Sequence, residues 1–78
     1  MTTEQEDAHW ALQGKPLMRH WRAYCRAVKA GSRSHRIAAL TELARALREH
    51  GISAADYRWT WLGIEIDGVF YSHNVEGL

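Results

Sequence analysis

Between residues 15 and 36 the chain carries seven Lys or Arg and no acid, and the spacing of those cations is the first feature that could do chemistry. Lys15, Arg19, Arg22, Arg26 and Lys29 recur at intervals of three and four. On a helix of 100° per residue they occupy one arc of about 80°. Like charges so placed repel one another by a few tenths of a kcal/mol per pair, a cost that an anionic surface would offset. The stripe therefore suits a phosphate backbone or an acidic protein surface. Two plainer outcomes compete with that reading: a solvated face, or one neutralised by the chain's own acidic N-terminal segment, which holds Glu4, Glu6 and Asp7.

Directly after the stripe comes Gly31-Ser-Arg-Ser-His-Arg36. Ser32 or Ser34 suits a helix N-cap, and Arg33 and Arg36 stand where a helix dipole disfavours cations. Free backbone N–H groups, two hydroxyls and two guanidinium groups together match an anion, so Ser32, Arg33, Ser34 and Arg36 are expected to clamp one phosphate or carboxylate. An ordinary cap flanked by solvated arginines is the plainer alternative. A third feature is aromatic. Tyr57, Trp59, Trp61 and Phe70 would make a stacking platform or a dimer or partner surface if their face were open, and core packing is the alternative, since a short chain needs large side chains to bury area.

Catalytic patterns are scarce. His9, His20, His35, His50 and His73 are scattered with no i, i+4 pair, so no metal site is expected, and no cofactor motif is present. Cys25 falls on an apolar arc, where a free thiol acts as a small hydrophobe. Nucleophile elbow, glycine-rich phosphate loop and paired carboxylates are all missing, so a non-enzyme is expected. Thr41–Leu47 followed by Gly51–Trp59 loosely matches a helix-turn-helix with a hairpin as wing. Three extra residues before the glycine and a single basic residue, Arg58, in the reading segment rank that DNA-binding reading last.

The elements that must position these residues follow from periodicity. A capping box at Thr3 and Glu6 allows a short first helix over residues 4–13. Pro16 suits the start and Gly31 the end of a helix over about 16–30, whose apolar arc is Leu17, Met18, Trp21, Tyr24, Cys25 and Val28. A second long helix over about 34–50 carries a seam of Ile37, Leu40, Leu43, Ala44 and Leu47, and the short link between the two implies an antiparallel pair, seam against seam. Beyond Gly51 the period becomes two. One strand is expected over about 57–66, a two-residue turn at Asp67-Gly68 and a return strand over 69–74, which places Ile66 opposite Val69, Glu65 opposite Phe70 and Ile64 opposite Tyr71. Leu62, Ile64, Ile66, Val69 and Tyr71 would share one face and Trp59, Trp61 and Phe70 the other. Two apolar faces on a two-stranded unit call for cover on both sides, from the helices on one and from the N-terminal segment or a homodimer on the other. Ser53–Asp56 matches a capping box for a single helical turn.

At 78 residues, with 46% apolar and 24% charged, the composition predicts one small soluble domain, and the order of a helix pair followed by a hairpin makes it α+β. One cysteine allows no internal disulfide, no apolar run is long enough to span a membrane, and the polar start lacks the features of a secretory signal, so a cytoplasmic setting is expected. The functional expectation is non-catalytic binding through the cationic face of residues 15–36, with nucleic acid backbone as first partner class. An inhibitor or adaptor of the kind carried by phages and mobile elements, docked on a larger protein or nucleoprotein complex, comes second.

Overall fold

A computed structural model describes residues 2–74; Glu76, one of the acids of the C-terminal part, lies outside them. The fold is α+β: three helices, then a three-stranded antiparallel sheet in the order β1-β2-β3. Helix α1 spans Thr3–Leu12. Its capping box is one residue earlier than expected, because Thr2 and Gln5 have the same spacing as Thr3 and Glu6 and bond reciprocally at 3.2 and 2.7 Å. Helix α2 spans Met18–Ala30. Pro16 and Leu17 form a turn ahead of it rather than its first residues, and the N-cap, Leu17, has no capping side chain. Its backbone N–H instead donates to the Tyr71 hydroxyl at 3.5 Å, a tertiary contact standing in for a local cap. Helix α3 spans Arg33–Glu49 and is capped by Ser32. The two-residue link at Gly31-Ser32 folds α3 back along α2.

A 3₁₀ turn over Ala54–Asp56, held by the expected Ser53–Asp56 box, leads into β1, Tyr57–Thr60. The long strand expected over 57–66 is two strands. Trp61 and Leu62 form a tight turn, and β2, Gly63–Ile66, runs back antiparallel to β1 with Thr60 opposite Gly63 and Trp59 opposite Ile64. Gly63 lets β2 lie close against the last strand, since a Cβ there would sit 2.0 Å from the Tyr71 carbonyl oxygen. The second turn is as expected: Asp67 and Gly68 both have positive φ, 50° and 81°, and β3, Val69–Ser72, pairs in the predicted register.

The extra turn changes which residues share a face. Cross-strand partners project to the same side, so Trp59 joins Ile64 and Tyr71 on the helix-facing side instead of standing with Phe70. Leu62, expected on the core face, is at the turn. The outer face then carries Arg58, Thr60, Glu65, Phe70 and Ser72, which is mostly polar, with Arg58 and Glu65 paired at 3.5 Å.

The core gathers Leu17 from the turn before α2, Met18, Trp21 and Cys25 from α2, Leu43, Ala46 and Leu47 from the second half of α3, and Ile64, Ile66 and Tyr71 from the sheet. Trp21 is fully buried, and its indole N–H donates to the Ser72 carbonyl at 2.7 Å. Cutting such a ring back to Ala costs about 3–5 kcal/mol. Val28, Ile37 and Leu40, expected in the helix seams, are exposed. A four-residue strand reaches about 13 Å while the 17 residues of α3 reach about 25 Å, so the sheet covers only one end of the helix pair.

Candidate functional site: a reduced cationic stripe and an apolar groove

The cationic stripe is partly consumed within the chain. Arg19 grips Asp7 of α1 with two bonds, Nε to Oδ1 at 2.7 Å and Nη2 to Oδ2 at 3.3 Å. That bond, with the guanidinium charge, holds the Asp7 carboxyl below its ordinary range and raises Arg19. Arg22 Nη1 lies 3.8 Å from Glu6, and its guanidinium stands 5.8 Å from the centre of the Trp10 ring. Helix α1 is thus laid across the stripe by its own acids, the neutralised outcome that the opposed charge blocks allowed. Lys15 is off the stripe, half-buried in the turn before α2, where its backbone N–H donates to Trp10. Arg26 and Lys29 are exposed on the last turns of α2.

At the Gly31 corner, Ser32, Arg33 and Arg36 line a recess of about 60 Å³ with Ala27 and Val28. Ser34 is not part of it. Ser32 Oγ accepts the His35 N–H at 3.4 Å and lies 3.4 Å from Ser34 Oγ, so the cap itself engages both hydroxyls. Among the described residues no ion pair reaches Arg26, Arg33 or Arg36.

The four aromatics do not form one platform. Trp61 is 94% exposed at the β1–β2 turn beside Leu62, 70% exposed, while Phe70 is on the outer sheet face. Tyr57 and Trp59 open on a different feature, a groove of about 250 Å³ between α3 and β1 whose walls are mostly apolar: Leu40, Leu43, Ala44 and Leu47 on one side, Tyr57, Trp59 and Ile64 on the other. Trp59, 45% exposed, packs at 5.8 Å on Trp21 and at 5.6 Å edge-on to Tyr24, so its ring is fixed from behind. The groove was not evident from the sequence. Its only signal was an α3 seam longer than any short strand can cover.

A third cavity, about 380 Å³, is bounded by α1, α2 and the end of α3 and holds Asp7, Arg19, His20, Glu49 and His50. Burial and then the Arg19 charge lower the His20 pKa, which favours a neutral ring accepting from Arg19 Nη2 at 3.2 Å. Asp7 is already committed to Arg19, so these groups serve each other and hold α1 in place. Burial pushes the Cys25 thiol up to about 11 and away from nucleophilic use. Among the described residues no three of His, Cys, Asp and Glu gather as a metal site, and no helix is long and apolar enough to cross a membrane. No protein-family model matches this chain, and neither does any curated protein or solved structure.

Proposed function

We propose that this protein is a non-catalytic docking module of the inhibitor or adaptor kind, which binds a larger protein or nucleoprotein partner through its aromatic hairpin and apolar groove. The observation that carries this reading is the Trp61-Leu62 turn together with the groove-lining Trp59: large apolar side chains held open on the hairpin. Aromatic anchors of this type dominate protein interfaces, and leaving them in water disfavours the free protein. The loss of Arg19 and Arg22 to α1 weakens the competing case for a continuous polyanion track. Affinity capture with and without nuclease tests it. A protein partner whose recovery survives nuclease and falls at least tenfold with Trp61→Ala is the expected result; recovery of nucleic acid alone would sink the reading.

A nucleic acid backbone stays as second reading because Arg26, Arg33 and Arg36 keep their charge free of internal acids around the Gly31 corner. In that case Arg26, Arg33 and Arg36 changed together to Gln would weaken binding and lower the slope of log affinity against log salt by about three, one per phosphate contact.

A further inference from the structure

We infer that the groove between α3 and β1 seats an acidic peptide segment of a partner protein, with large apolar side chains inserted between Leu40 and Trp59 and carboxylates met by Arg33 and Arg48. This rests on the docking reading above and adds the chemistry of the occupant.

The argument begins on α3. At 100° per residue, Arg33, Ile37, Leu40, Ala44 and Arg48 fall in one arc of about 80°. The middle of that stripe is apolar and open, with Ile37 54% and Leu40 39% exposed, and each end is an exposed arginine. Fifteen residues of helix set the two arginines about 22 Å apart along the axis, the reach of an extended segment of about seven residues or a helix of four turns. The acids of α3 are elsewhere: Glu42 and Glu49 both pair with Arg45 on the opposite side.

Across the groove the wall is a strand with no open cation. β1 is an edge strand whose Tyr57 and Trp59 form the wall. The acid next to it, Asp56, is held by the Ser53 N–H and hydroxyl at 3.1 and 3.0 Å, and Glu65 is paired with Arg58 on the outer face. On the α3 side the open charge flanking the groove is therefore positive at both ends of the stripe, the complement of an acidic amphipathic segment, while Asp56 keeps its own charge at the start of β1. A second copy fits poorly. A two-fold axis on this face sets arginine against arginine whether the α3 helices meet parallel or antiparallel.

Selection of random 12-residue peptides displayed on phage against the immobilised full chain tests the inference, followed by calorimetry of the enriched peptides. Peptides carrying at least two acids and two large apolar residues are expected. Their affinity should fall at least tenfold for Arg33→Glu with Arg48→Glu, and likewise for Leu40→Gln or Ile37→Gln, two exposed positions used in parallel so that one folded variant suffices as judged by circular dichroism. Arg45→Gln, on the opposite side of α3, should leave it unchanged. No enriched peptide, or peptides without acids, would overturn the inference. Peptides lost only with Trp61→Ala would overturn it while leaving the docking reading intact. Self-association abolished by Leu40→Gln would make the occupant a second copy, and single-stranded oligonucleotide binding abolished by Leu40→Gln would make it a nucleic acid; either result replaces the acidic segment.

Discussion

Asp7 and Arg19 decide how much of the basic block meets solvent, and His20 beside them makes the arrangement sensitive to acid. Burial places the folded pKa of His20 below its ordinary 6.5, so the folded state favours the neutral ring. That contribution to stability is complete above about pH 6.5 and is lost as the pH falls through the folded value. Asp7, depressed below its ordinary 3.8 by the Arg19 bond, acts in the same direction: its contribution is present above that value and is lost as the pH falls through its own lower one. Thermal melting is therefore expected to show two successive losses on acidification, the first beginning near pH 6.5 and the second below about pH 4. His20→Gln should flatten only the first. A melting temperature that is level from pH 7 to 5 in the parent would refute the role given to His20.

At the scale of elements, the pairing of β2 with β3 depends on Gly63. A methyl group there meets the backbone of the neighbouring strand, 2.0 Å from the Tyr71 carbonyl oxygen and 2.9 Å from Ser72 Cα, and neither can move without opening the β2–β3 ladder. Gly63→Ala is expected to cost about 3 kcal/mol or more, measured by urea unfolding; a loss under about 1 kcal/mol would mean that the sheet closes differently. Helix α1 is the other revealing element. It buries none of its residues fully; Trp10 packs against the edge of the core while Glu6 and Asp7 pair with Arg22 and Arg19, so its acids can be neutralised without opening the core. Glu6→Gln with Asp7→Asn should release Arg19 and Arg22 and raise the salt needed to elute the protein from heparin, with the α2–α3–sheet unit still folded by near-UV circular dichroism. Unchanged elution would show that α1 does not mask the stripe.

For the whole molecule, the question is what covers its apolar surface. Self-association was expected from a hairpin apolar on both sides, yet the outer sheet face exposes Phe70 among Arg58, Thr60, Glu65 and Ser72 and offers a dimer little to bury. The larger open surface, along α3 and β1, ends in arginines that would oppose one another across a two-fold axis. Sedimentation equilibrium at 100 µM is expected to give a monomer at about 0.15 M salt, where charges are screened beyond about 8 Å. A dimer that dissociates with Leu40→Gln would reverse this and assign the groove to a second copy.

Periodicity and punctuation carried most of the local structure. Gly31 and Ser32 between two apolar seams are enough for an antiparallel helix pair, and Asp67-Gly68 between alternating residues is enough for a turn with its register, because both depend on backbone preferences of neighbouring residues. The core list was legible for the same reason in Leu17, Met18, Trp21, Cys25, Leu43 and Leu47. What required tertiary structure was everything set by lengths and contacts between elements. The alternation from Tyr57 to Ile66 runs through the reversal at 61–62 without a break, since Trp and Leu are not turn residues, and only the pairing of β1 with β2 reveals the fold-back. That reversal moved Trp59 to the helix side and shortened the sheet, which left Ile37 and Leu40 uncovered and created the groove. The charge blocks were plain in the sequence, but their cancellation was not: whether Asp7 meets Arg19 depends on where α1 lies, and only packing decides that.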